Sequence, residues 1–214
     1  MMHVKQTKQA GSILNRSRHV CAFFHTREEE YRVMLPFIRG GFDRGDRALH
    51  IIDARNRSDH QRRLEQVGVK VTDAETKKQL EIWSWEEAYL KDGKFDQERQ
   101  IDLVAELLGD SKDRDYAMTR VVASMEWALE DRPGVEDLIE YESRVNHTLT
   151  KCDAAVCCTY NMSRFSPDII LDAMRAHPVV MVGGIFLENP FYTPPDEFLR
   201  ELRERPRRAD ATLA

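Results

Sequence analysis

Between Gly11 and Gly40 the sequence has no glycine, and that gap bears on one function class at once. His19-Val20-Cys21-Ala22-Phe23-Phe24 reads as a buried strand that passes through His25-Thr26 into Arg27-Glu28-Glu29-Glu30 and a helix. A nucleotide-binding α/β protein places a glycine-rich loop at such a passage, so that backbone N–H groups cradle phosphate. Here three carboxylates fill the first helical turn. They suit the positive end of the helix macrodipole and repel a phosphate approaching the same spot.

Other absences narrow the field further. No apolar run approaches the ~20 residues that span a bilayer, and the N-terminus lacks the apolar core of a signal peptide. The four cysteines (Cys21, Cys152, Cys157, Cys158) contain no CxxC pair, which points to reduced thiols in a cytoplasmic protein. Basic charge is not in excess: the net charge is −5 with 32% charged residues, against the counterion release that DNA binding needs. Arg55, Arg57, Arg62 and Arg63, and Arg203, Arg205, Arg207 and Arg208, read as solvated surface. Neither a membrane nor a nucleic acid is an expected direct partner.

What is present is an alternation of strands and helices. Strands are expected at 19–24, 48–52, 80–83, 117–125, 154–160 and 179–182, as apolar runs more than alternating ones. This is the pattern of an α/β fold: a three-layer, mainly parallel sheet with helices on both faces, in a single domain. Residues 1–18 read as a polar arm, 19–203 as the domain and 204–214 as a disordered tail. Thr26 and Glu29 form a capping-box pattern. Pro36 should bend the first helix, and Gly40-Gly41 with Gly45 should end it. The string Gly40 to Arg47 mimics the glycine spacing of a phosphate loop, but Asp46 stands where the lysine belongs and the order runs from helix to strand.

In such sheets ligands bind beyond the C-terminal ends of strands. Trp83, Trp85 and Trp127 all fall there, as do Phe24, Tyr89 and Tyr160. Together with His25, Asp53, Glu126 and Asn161 they suggest an aromatic-rimmed pocket for a small, largely apolar molecule. The expected ligand-binding set is Phe24, His25, Asp53, Trp83, Trp85, Glu126, Trp127, Tyr160 and Asn161. No catalytic residue is assigned, because nothing places a base beside a thiol and Glu126 has no lysine partner. No metal or other cofactor is expected. Neighbours in a strand point to opposite faces, so Cys157 and Cys158 cannot easily share an ion. The cysteines read as inert core thiols, His50 as structural, and His177-Pro178 as the start of a strand.

Several strings in order resemble the MEDS domain, the sensory domain named after the dichloromethane-responsive regulator of methylotrophs and found also in methanogens. They are His19 to Phe24 with its acidic helix, Ala48 to Asp53, Tyr89 to Phe95, Met125 to Leu129, Tyr141-Glu142, Cys158 to Asn161 with Arg164-Phe165, and His177-Pro178. Ala123-Ser124 and Asn161 depart from the family pattern. The resemblance covers His19 to Leu199 and implies a RecA/KaiC-like fold without a working ATPase site. It also implies a non-enzymatic sensor of small hydrocarbon derivatives that acts on a transcription or signalling partner. Two other readings are a residual nucleotide-binding switch and a pure interaction module, with self-association into a homo-oligomer.

Overall fold

The computed structural model describes residues 18–109, 116 and 118–205. The expected arm up to residue 17, the tail from 206 and the start of the fourth strand at Ala117 lie outside the described residues. The chain opens with β1 (His19–Phe24), α1 (Arg27–Asp43), β2 (Arg47–Ile52), α2 (Arg57–Gln66), α3 (Val71–Thr76) and β3 (Leu80–Ser84). It continues with α4 (Trp85–Ala88), α5 (Gln97–Gly109), β4 (Thr119–Ser124), α6 (Leu138–Leu149) and β5 (Ala154–Asn161). The last elements are α7 (Pro167–Ala176), β6 (Val179–Val182), β7 (Ile185–Glu188) and α8 (Pro195–Glu204).

The strands form one sheet in the order β3-β2-β4-β5-β1-β6-β7, parallel except for β7. Every residue of β1 and β2 is buried, as a central parallel strand with helices on both sides requires. Alternate residues feed two cores. Val20, Ala22, Phe24, Ile52 and Cys157 pack with Met34, Ile38 and Leu64 under α1, α2 and α3. Cys21, Phe23, Ile51 and Cys158 pack on the other face with Trp127, Tyr141, Ala173 and Phe198, under α5 to α8. Cys157 and Cys158 do point to opposite faces, as strand geometry demands.

The α1 N-terminus forms half of the expected capping box. Thr26 Oγ1 accepts from the Glu29 N–H at 3.1 Å, while Glu29 Oε2 accepts from His25 N–H at 2.8 Å, one residue before the cap. Two local expectations need correction. Gly40 and Gly41 lie inside α1, which runs on to Asp43. Gly41 packs against Arg120 so closely that an added Cβ would sit 2.7 Å from Arg120 Cδ. Helix α2 starts at Arg57. The short α3 has too few residues to show a period. The sheet does not stop at Val182, because Gly183-Gly184, both at positive φ, make a two-residue hairpin turn into antiparallel β7.

Gly134 shows a backbone position that only glycine can fill. Its φ is +87°, and an added Cβ would collide with the Phe95 carbonyl oxygen, while Phe95 N–H donates to Pro133 O at 2.9 Å. Gly134→Ala is therefore expected to cost about 3 kcal/mol, from left-handed strain plus the clash. Gly45 has φ +77° with nothing within 4 Å of where an alanine Cβ would sit, so Gly45→Ala should cost only about 1 kcal/mol. Urea midpoints of the two variants test the difference, and equal losses would rule out the clash.

Candidate functional site

At the C-terminal ends of β1, β2, β4 and β5 the chain leaves a cleft of about 230 Å³. The pairing of Phe24 with Asn161 and of Ser124 with Thr159 brings these strand ends level. Phe24, Met34, Ile38, Ile52, Val122 and Trp85 supply an apolar floor, and a polar rim surrounds it. The rim comes from the first turn of α1 (Thr26, Arg27, Glu30), from Asp53 and Asn56 after β2, and from Ser124 and Glu126 after β4. Thr159, Asn161 and Arg164 complete it.

The three carboxylates of the first turn have three separate fates. Glu28 points outward and accepts from Arg63 Nη2 at 2.8 Å. Glu29 is spent on capping. Glu30 alone lines the cleft, four residues before Met34 and so on the same helix face. Burial pushes the Glu30 carboxyl above its ordinary range and the charge of Glu126 adds to this, while the Thr159 hydroxyl and Arg27 pull it down.

The other charged groups of the rim are engaged. Glu126 accepts from Arg164 Nη1 at 2.6 Å. Asp53 accepts from the Arg55 N–H at 2.8 Å and from its guanidinium, which holds the carboxyl below the usual range. Arg27 Nη1 donates to Asn56 Oδ1 at 2.6 Å. Behind the rim, Tyr31 Oη lies 2.9 Å from His60 Nδ1, and His60 Nε2 lies 2.8 Å from His50 Nδ1. Burial takes His60 down to about 4 and, with the neighbouring His60, pulls His50 well below the ordinary histidine range, so both rings are neutral at pH 7.

Of the nine residues expected at the site, Phe24, Asp53, Trp85, Glu126, Tyr160 and Asn161 border this cleft. The Tyr160 ring itself packs on the other face of the sheet, 5.3 Å from Phe165. The structure does not bring the other three there. His25 is exposed, with its carbonyl accepting from Ser163 Oγ at 3.0 Å. Trp83 faces a second, narrow cavity of about 30 Å³ with Leu49, Ile51, Val104, Tyr141 and Cys158. Trp127 is fully buried, stacked on Tyr89 at 4.6 Å and tilted against Phe95 at 4.4 Å.

Sequence reasoning missed Arg27, Glu30, Tyr31, His60, Ser124, Thr159 and Arg164. For Glu30 a signal existed, its i,i+4 relation to Met34, and for His60 the same relation to Leu64. Arg164 carries no such signal, because it sits in a turn. Chemically, the arrangement offers an apolar bed closed by a rim of mixed hydrogen-bond donors and acceptors, with Glu30 as the rim carboxylate whose burial raises its pKa.

Comparison with known proteins identifies the family. The family model described as the methanogen/methylotroph DcmR sensory domain, MEDS, matches residues 18–178. The chain is also similar to the transcriptional repressor DcmR of Methylorubrum extorquens (strain DSM 6343 / CIP 106787 / DM4). The two are 27% identical over 176 residues, a stretch that covers 80% of this chain and 62% of the repressor. The chain thus spans less than two thirds of that relative's length. With the family model covering most of its residues, the chain belongs to the MEDS family of sensory domains.

Proposed function

We propose that the chain is a non-enzymatic sensory domain whose strand-end cleft binds a small molecule with a hydrocarbon body and one hydrogen-bond-donating or cationic head. The observation that carries this reading is Glu30, a carboxylate with a raised pKa set over an apolar floor. The head group meets Glu30, Thr159 and Ser124, and the body displaces water from Phe24, Met34, Ile52 and Trp85. Occupancy ties α1 to the loops after β2 and β4, and changes what those loops present to a transcription or signalling partner. The repressor relative supports a transcriptional output.

A face for that partner is available. Val182, Ile185, Leu187 and Phe191 are large, apolar and exposed on and beside edge strand β7. Clustered exposed apolar side chains on an unpaired edge favour protein contact, so the interaction reading describes the output of the sensor.

A melting screen with tryptophan fluorescence against methylated amines, small halocarbons and aromatics tests the reading. A true ligand at ~100 times its Kd adds ~2.7 kcal/mol of stability. For a cationic ligand the sign with pH is fixed. Glu30 binds it when ionised, so affinity rises with pH through the raised Glu30 pKa and then levels. Glu30→Gln should weaken such a ligand about tenfold, one lost charge-assisted hydrogen bond, and flatten the pH profile. Flat melting across the panel, or a Glu30→Gln protein that binds as well as the parent, would sink the proposal. Millimolar ATP should leave melting unchanged.

A further inference from the structure

We propose that His19, Glu142, Cys158 and His177 form a buried binding site for one divalent metal ion of the zinc type. The site is separate from the ligand cleft and does not depend on its reading. The four side chains come from β1, α6, β5 and the turn before β6, all are buried, and their ligating atoms lie within 4.8 Å of one another.

The argument rests on where the ring protons are. His177 Nδ1 faces the Ala173 carbonyl at 2.6 Å, and a carbonyl only accepts, so Nδ1 carries the hydrogen. The Asn146 amide nitrogen donates to three carbonyls, of Glu142, Ser143 and Ala176. Its Oδ1 is therefore the atom 3.1 Å from His19 Nδ1, and that nitrogen donates too. In both neutral rings Nε2 is then a bare lone pair. These two lone pairs converge on one carboxylate oxygen, Glu142 Oε2, at 3.1 Å from His19 and 3.0 Å from His177. Cys158 Sγ lies 3.5 Å from His19 Nε2.

Four electron-rich atoms facing one another without a cation repel. Protonating both rings instead would bury two imidazolium groups with centroids 3.9 Å apart beside a single carboxylate. The metal-free alternative is a protonated network, with a proton between Glu142 and one ring and the Cys158 thiol facing His19. Glu142 Oε1 has no partner in it or in a metal site bound through Oε2 alone. Both Glu142 oxygens and His177 Nε2 are buried with no partner in hydrogen-bond geometry among the described residues. A metal ion gives the two Nε2 lone pairs, the thiolate and Glu142 Oε2 one common partner.

Geometry and chemistry fit. Ligand bonds of ~2.0–2.3 Å at tetrahedral angles place donor atoms ~3.3–3.7 Å apart, within a few tenths of the 3.0, 3.1 and 3.5 Å separations. The full set spans up to 4.8 Å and has to draw in around the ion. The Asn146 and Ala173 contacts are the outer-shell hydrogen bonds that fix a ligating imidazole. Two imidazoles, a thiolate and a carboxylate select zinc-type ions over magnesium or calcium.

The test is metal analysis of the untagged full chain, followed by unfolding with a chelator and refolding with Co²⁺. The expected result is one zinc-type ion per chain, and in the refolded protein tetrahedral cobalt bands with a thiolate-to-cobalt transition that Cys158→Ser abolishes. X-ray absorption on the parent protein should show one sulfur among nitrogen and oxygen neighbours, which keeps the test decisive if the variant does not fold. A metal-free chain that refolds fully and stays colourless with Co²⁺ overturns the proposal in favour of a protonated network. A sulfur-free coordination shell, or a thiolate band that survives Cys158→Ser, also overturns it.

Discussion

Trp127→Ala is expected to lower stability by about 3–5 kcal/mol, the loss of a full aromatic side chain from a closed core. Trp127 is entirely buried, and its indole lies between Tyr89, stacked at an interplanar angle of 13°, and Phe95. Phe95 in turn meets Tyr141 edge-on at 5.5 Å, so the indole ties α6 to the segment after β3. The indole Nε1 has no hydrogen-bond partner among the described residues, so the cost is packing and cavity rather than a lost polar contact. Trp127→Phe leaves a smaller void and should lose correspondingly less. Urea unfolding followed by circular dichroism measures both, with an unchanged m-value confirming that stability alone has moved. A loss below about 1 kcal/mol for the alanine variant would mean that the aromatic cluster collapses around the gap, contrary to the close packing described.

The second large effect is expected at Asp46. Its Oδ2 lies 2.5 Å from Arg120 Nε, both groups are buried, and the guanidinium also sits 4.8 Å over the Phe37 ring. Burial pulls the Arg120 pKa down while Asp46 holds it up. Asp46→Ala strands that cation in the core and should cost about 3–5 kcal/mol. Replacing the pair together, Asp46→Leu with Arg120→Met, should recover most of the loss, because desolvation of both charges is then avoided. If the double variant is no more stable than Asp46→Ala, the penalty does not come from an uncompensated charge.

These two residues also show what is legible in the chain. The alternation of apolar runs with helical stripes is enough for the layer order, because each run is long enough to declare its period. Strand β7 is not legible, since four residues after Gly-Gly carry little pattern and the turn signal reads as a stop. Trp127 falls past a strand end in sequence and in structure alike. Its side-chain direction depends on the 3-10 turn at Met125–Leu129, which no periodicity encodes. Asp46 and Gly41, odd as a phosphate loop, make sense only beside Arg120, which is 74 residues from Asp46. The same distance problem hides the buried quartet. His19 and Cys158 are 139 residues apart, and no linear spacing links them to Glu142 and His177.

The place of β1 between β5 and β6 has a consequence for how the chain is made. Of the strands in this sheet β1 leaves the ribosome first, a mostly apolar ribbon whose two neighbours follow well over a hundred residues later. Until Val179–Val182 has emerged, β1 cannot be flanked on both edges, and an unpaired apolar strand recruits other chains. A chain cut before β6 would pair β1 with β5 alone and leave its other edge open.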